Sequence, residues 1–126
     1  MPLRIKMANT FRMTNEANVT TTMETVYSCP SATTTIVIGI MLSNTLATDS
    51  VKASVQIQSV TATSENTGAA NTNETIYLIK NAPVDSSSSL EIMAGNKVVL
   101  QAGDALRCQS ETASALDIAV SYMEIT

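Results

Sequence analysis

Apolar and polar residues alternate one by one in several short segments of this chain. From Val51 to Ile57 every second residue is apolar, and Lys, Ser and Gln lie between. The same alternation runs from Leu116 to Tyr122. Because successive side chains of a β-strand point to opposite faces, such a segment buries one face and turns the other to water or to a neighbour. The pattern therefore predicts half-buried strands.

Segments of this kind recur at intervals of about eight to twelve residues, which is typical of an all-β sandwich or barrel. Stretches rich in Ser, Thr, Asn, Gly and Pro separate them. A chain of 126 residues is long enough for one domain with its own core. We therefore predict an all-β fold, an antiparallel sandwich of about eight strands that is jelly-roll-like. The expected strands lie at about residues 19–29, 33–43, 51–61, 75–80, 90–93, 98–100, 106–109 and 116–125.

The expected strand at 33–43 differs from the others because it is apolar on both faces. A strand in a two-layer sandwich is normally polar on its outer side, so this strand is expected to be covered on both sides. A domain of this size has little to place on the outer face except a second subunit. The alternative is that the N-terminal segment covers it. The candidate oligomer interface consists of Ile36, Val37, Ile38, Ile40, Met41 and Leu42.

The N-terminal residues show no sustained period, and we predict an extended arm at 1–17 in front of a β-sandwich domain at 18–126. Residues 1–12 contain three bases and no acid, whereas the rest of the chain has four bases and eleven acids, so a charge of +3 precedes a body of −7. An acidic body is a poor partner for nucleic acid. The basic residues Arg4, Lys6 and Arg12 are expected to dock on an acidic protein surface. The alternative is a disordered tail whose charges are placed by chance.

The chain offers few groups for catalysis or for holding a cofactor. It contains no histidine, the usual general base near neutral pH and a common metal ligand. Cys29 and Cys108 are too far apart in sequence for a metal-binding motif, and two buried free thiols are favoured over a disulfide. Asp104, which follows Gly103, is expected to stabilise a turn rather than bind calcium. We expect no catalytic residue, metal or cofactor, and no membrane partner, because no apolar run approaches roughly 20 residues.

Three segments carry a recognisable pattern: VYSCPSATTTIVIGIMLSN at 26–44, LEIMAGNKVVLQAGDALRCQS at 90–110 and ALDIAVSYMEIT at 115–126. Together they resemble small virion structural proteins of tailed bacteriophages, including those of marine and cyanobacterial phages. In such proteins a "VYT-CP-ATT-IV" opening, an "L-AG-K-VL-AGD-L" middle and a "VLEI" ending recur. This chain has Ser28 in place of the expected Thr, and its ending reads YMEI. The resemblance covers roughly residues 19–126 and leaves the arm unmatched.

The resemblance implies a non-enzymatic structural protein located in the virion after assembly in the host cytoplasm. The first expectation is a capsid decoration (cement) protein that binds the outer shell, often as a trimer, and stabilises contacts between capsomers. Its partners would be the major capsid protein or another virion protein, together with further copies of itself. On this interpretation Arg4, Lys6 and Arg12 contact the capsid, and the apolar residues of 36–42 form the homo-oligomer interface.

Two further interpretations remain open at the level of sequence. The protein could belong to the neck, tail, baseplate or fibre base of the same particle. It could also be a carbohydrate-binding module, which would need aromatic side chains in a groove. Tyr27, Tyr77 and Tyr122 are too few for such a groove and lie within predicted strands.

Overall fold

The computed structural model describes residues 8–59 and 74–126, and within these ranges the secondary structure consists of β-strands and turns without a helix. The all-β prediction is confirmed. It follows that these residues contain no helix of the length and hydropathy needed to cross a membrane. The strands are β1 (Asn9–Glu16), β2 (Glu24–Ser28), β3 (Thr34–Asn44), β4 (Val51–Ser59), β5 (Glu74–Val84), β6 (Ser89–Glu91), β7 (Val98–Leu100), β8 (Ala105–Ser110) and β9 (Leu116–Ile125).

The strands form two antiparallel sheets with a nested order of pairing. The first sheet has the order β1-β9-β3, with β6 and β7 both paired to the far side of β3, and the second has the order β2-β8-β4-β5. The first strand thus pairs with the last, the second with the last but one, and β4 with its successor β5. A two-stranded ribbon folded over in this way is a jelly roll. Since β6 and β7 act as one interrupted strand, the fold has eight strand positions, which confirms the predicted sandwich.

The core lies between the two sheets and is built from the alternation seen in the sequence. Val51, Ala53, Val55 and Ile57 all point from β4 into this core. The polar residues between them lie on the other face of the sheet, where Lys52 is exposed and neighbouring side chains bury Ser54 and Gln56. Each fully buried Val or Leu side chain stabilises the fold by roughly 1.5–3 kcal/mol. The largest fully buried side chains are Ile40, Leu42, Leu100, Leu106, Leu116, Ile118, Val19, Val37, Val51, Val55, Val84 and Val120.

The N-terminal segment forms a strand where the sequence predicted an extended arm. β1 pairs with β9 along its whole length, from Asn9 opposite Ile125 to Glu16 opposite Ile118. Without β1 the backbone groups of β9 on that side would lack ladder partners, and hydrogen bonding to them does not require an apolar sequence. β1 lies beside β9 in the plane of the sheet, so it does not cover the outer face of β3. Residues 1–7 lie outside the described residues.

The side chain of Val19 anchors the segment between β1 and β2 in the core. The predicted strand at 19–29 begins only at Glu24, because Val19 turns into the core, where it is fully buried, and donates its N–H to the Leu116 carbonyl at 2.8 Å. The turn before β8 is held as expected, since the Asp104 carboxylate accepts the Gln101 N–H at 3.0 Å. Residues 62–73, between the predicted strands at 51–61 and 75–80, lie outside the described residues.

Candidate interaction surface

An apolar row crosses four strands on the outer face of the first sheet. Phe11 of β1 lies opposite Met123 of β9, and Ile36 of β3 lies opposite both Met123 and Val99 of β7. Because directly opposed residues of antiparallel strands share a face, the four side chains form one continuous row. Phe11 is 73% exposed and Val99 is 54% exposed. The row therefore faces solvent in the isolated chain.

A β-bulge in β3 keeps further apolar side chains on this face. The register of β3 against β9 shifts between Val37 and Gly39. The extra residue allows Val37 and Ile40, three positions apart, to point into the core together, while Ile38 between them remains outward and 37% exposed. Met41 then points outward again and is 45% exposed. The bulge explains why the sequence of β3 reads as a nearly continuous apolar run.

A small side chain among larger ones leaves a shallow depression on the outer face of the first sheet. The small Ala119 of β9 lies between Asn15 of β1 and Met41 of β3, and a shallow depression of about 300 Å³ opens above it. Met13 lies opposite Ser121 on the same face and is largely exposed. We call this surface the outer apolar face and define it by Phe11, Met13, Ile36, Ile38, Met41, Val99 and Met123.

The structure divides the six residues that the sequence nominated as an oligomer interface. Ile36, Ile38 and Met41 lie on the outer apolar face, whereas the side chains of Val37, Ile40 and Leu42 are fully buried between the two sheets of the same chain. The strand is apolar on both sides because one side is the core. Phe11, Met13, Val99 and Met123 were not nominated. The alternation of Phe11 and Met13 with polar neighbours was the available signal for two of them.

The corresponding row on the outer face of the second sheet is polar. Arg107 of β8 lies opposite Thr25 of β2 and opposite Gln56 of β4, and Gln56 in turn lies opposite Tyr77 of β5. The Lys80 ammonium lies 5.0 Å from the centre of the Tyr77 ring, a cation–π geometry that keeps this aromatic in a polar setting. The two outer faces of the sandwich therefore differ in chemistry.

A polar network joins the sheets at one end of the core. Arg12 Nε lies 2.9 Å from Glu124 Oε1, and the Tyr27 hydroxyl donates to Glu124 Oε2 at 2.7 Å. The same hydroxyl lies 2.7 Å from Thr35 Oγ1, which in turn lies 3.2 Å from Cys29 Sγ. Burial is the main cause that raises the pKa of Tyr27 above its ordinary value, so the phenol stays a neutral donor. The network supplies partners for polar groups that would otherwise be buried alone.

This network accounts for one of the three bases assigned to the arm. Arg12 lies opposite the core residue Tyr122, so its side chain starts on the inner side of β1 and reaches Glu124 near the end of the neighbouring strand β9. Its side chain is 57% exposed and that of Glu124 is 14% exposed. Arg4 and Lys6 lie outside the described residues. The structure therefore describes the position of Arg12 alone among these three bases.

Both cysteine side chains lie in the interior of the protein. Cys29 and Cys108 are buried and unpaired, as the sequence favoured. Burial raises the pKa of Cys29, and it raises the pKa of Cys108 to about 12. A thiol with so high a pKa is protonated and unreactive near neutral pH. Among the described residues, no three Cys, Asp or Glu side chains are grouped so that they could hold a metal ion.

No protein-family model and no curated protein matches the chain. Among solved structures, it is similar to a chain from Bacillus endospore appendages that form a novel family of disulfide-linked pili. The identity is 14% and the TM-score 0.45, over 100% of this chain and 98% of that chain. It is also similar to the infectious bursal disease virus VP2 subviral particle, at 10% identity and a TM-score of 0.43, over 95% of this chain and 36% of that chain.

Proposed function

We propose that this chain is a non-enzymatic structural protein of a phage virion and that it acts as a capsid decoration protein. The observation that carries the proposal is the outer apolar face. Monomeric soluble proteins rarely expose a contiguous apolar patch of this kind, and such patches mark surfaces that bind other proteins. The pattern at 26–44, 90–110 and 115–126 supplies the virion context, because it resembles virion structural proteins of tailed phages.

Attachment to the shell is assigned to the residues that precede β1. Arg12 is engaged with Glu124, so the proposal gives the shell contact to Arg4 and Lys6. Two bases next to an acidic body suit an acidic site on a capsid protein, and the contact should weaken with salt because exposed charges are screened.

A charge-matched pair of variants tests this attachment. Arg4→Gln with Lys6→Gln removes two positive charges from the N-terminal residues, and Lys52→Gln with Lys97→Gln removes two from exposed positions on the body. We expect the first double variant to lose binding to purified shells and the second to keep it. Equal binding of both would exclude the N-terminal contact. A deletion should stop at Met7, because one that reaches Arg12 removes half of β1.

The copy number of the chain per purified particle tests the station in the virion. Quantitative mass spectrometry against the major capsid protein should give on the order of hundreds of copies, since a shell protein follows the symmetry of the shell. A number on the order of tens or fewer would contradict decoration and place the chain in the neck, tail, baseplate or fibre base. Absence from the particle would overturn the virion proposal altogether.

A further inference from the structure

The two edges of the first sheet are both poorly suited to pairing with another chain. At one edge, β1 turns Arg12 and Glu16 inward, opposite the core residues Tyr122 and Ile118. Inward charges on an edge strand hinder edge-to-edge pairing. At the other edge, β6 and β7 have only three residues each, and short edge strands have the same effect. A partner of this sheet is therefore expected to approach its outer face.

The charge on the outer face indicates what kind of partner can approach. Of the described strand residues that point outward from the first sheet, two carry charge, Asp117 and Glu91. Both accept backbone N–H groups of their own chain, from Asn18 at 2.9 Å and from Met93 at 2.6 Å. Both lie away from the row that contains Phe11. A partner recognised by charge would need charged residues within that row, and the row has none.

The chain has a net charge of −4, so two copies repel each other over most of their surface. The uncharged row is the region of the first sheet where a second copy meets least repulsion. Methionine side chains adapt to irregular surfaces. Met123 lies in that row, and Met13 and Met41 lie elsewhere on the outer apolar face.

The size of the face fits an interface between two copies. A face four strands wide, with a β9 of ten residues, measures about 20 by 30 Å. The projected area is thus about 600 Å², against roughly 800 Å² of accessible surface that each partner buries in a standard interface. Two such sheets can pack face to face about 10 Å apart, as in an aligned sandwich.

We infer that two copies of this chain associate through their outer apolar faces, with the row Phe11, Met123, Ile36 and Val99 at the centre of a two-fold interface. The inference rests on the proposed function, because it names the partner of the surface on which that function is argued. A two-fold interface uses the same patch on both copies, which agrees with a patch that is apolar throughout its centre.

Sedimentation equilibrium of the full chain without shells tests the inference. The measured molecular mass should be twice the mass of one chain, which is 13.3 kDa. Val99→Lys places a charge in the row and should weaken association at least tenfold, because an unpaired charge buried in an interface lowers the binding affinity by about that factor or more. Thr75→Lys, at an exposed position on the outer face of the second sheet, should leave the mass unchanged. A single-chain or three-chain mass for the unmodified protein would overturn the two-fold pairing.

Cross-linking locates the interface independently. Met123→Cys should form a covalent dimer on mild oxidation, and Tyr77→Cys on the polar row should not. Cys29 and Cys108 are buried, so they do not compete. Equal cross-linking of the two variants would overturn the assignment of the face. Shell binding by a chain that stays single would refute the pairing alone, whereas pairing in solution by a chain absent from virions would refute the virion role alone.

Discussion

The two outer faces of this jelly roll occupy equivalent places in the fold and carry opposite chemistry. The row Phe11, Met123, Ile36 and Val99 crosses the first sheet, and the row Thr25, Arg107, Gln56 and Tyr77 crosses the second. Folding requires only that the inner faces be apolar. The second sheet shows this minimal pattern. The apolar residues on the outside of the first sheet therefore need a reason outside the fold, and the proposed assembly would supply one.

The largest expected effect is a difference in unfolding free energy between two neighbouring substitutions in β3, one in the core and one on the outer apolar face. Ile40 is fully buried and Met41 is its outward neighbour. Ile40→Ala should lower the free energy of unfolding by about 2–5 kcal/mol, whereas Met41→Ala should change it by less than about 0.5 kcal/mol in dilute solution. Urea unfolding measures both. If Met41→Ala were as costly as Ile40→Ala, the outer apolar face would serve the fold and the comparison would fail.

A second pair of variants makes the same distinction on the second sheet. Tyr27→Phe removes the hydroxyl that lies 2.7 Å from both Glu124 and Thr35. Both groups then lose one hydrogen-bond partner in a largely buried setting, at a cost of about 1–3 kcal/mol. Tyr77→Phe is the matched control on the polar row and should cost less than about 0.5 kcal/mol. Thermal unfolding should rank them in this order. Equal losses would mean that the polar row contributes to the fold as the inter-sheet network does.

Much of the architecture, and three of the seven residues of the outer apolar face, could be predicted from sequence. β4 and β9 alternate with the apolar residues toward the core, so both strands were found. β1 was missed because its apolar residues, Phe11 and Met13, point outward and its polar residues point inward, the reverse of a core strand. Its pairing with β9, at the opposite end of the chain, has no local signal.

The outer apolar face was predicted only in part, because strand pairing between distant segments decides which residues share it. β3 is apolar on both sides, which identified Ile36, Ile38 and Met41, but the bulge at Val37–Gly39 hid which residues point inward. Val99 and Met123 join the row only through the strand order. Local sequence does not reveal the strand order, because that order depends on pairings between distant segments.

A smaller effect tests β1, the strand that borders the outer apolar face. Arg12→Gln breaks the ion pair with Glu124 at a partly exposed position, and such pairs contribute about 0.2–1 kcal/mol. The difference in unfolding free energy from the unmodified chain should shrink at high salt, because screening weakens the pair. A loss that persists at high salt would show that Arg12 acts by packing its stem rather than by charge.

The smallest expected effect is a pH dependence at the other end of β1. Burial, followed by the charge of Glu24, raises the pKa of Glu16 above its ordinary value of 4.5. The folded chain therefore holds this proton more tightly than the unfolded chain. The stability that Glu16 contributes is complete below about pH 4.5 and is lost as the pH rises through the folded pKa.

Glu16→Gln should accordingly make the melting temperature fall less steeply above pH 4.5. Near neutral pH the variant should be slightly more stable than the unmodified chain, by less than about 0.5 kcal/mol in unfolding free energy. Glu111→Gln, at an exposed position, is the control and should not flatten the profile. A steeper fall for Glu16→Gln would contradict a raised pKa of Glu16 in the folded chain.

The central claim is that the outer apolar face is covered when copies of the chain assemble, and methionine oxidation tests it most directly. Met13 and Met41 lie on that face, and Met93 is buried in the core as an internal standard. Oxidation of each methionine is measured by mass spectrometry in the unmodified chain and in Val99→Lys at the same concentration. The account predicts that Met13 and Met41 are protected in the unmodified chain and oxidised in the variant, while Met93 is protected in both. Equal oxidation of Met13 and Met41 in the two chains would contradict it.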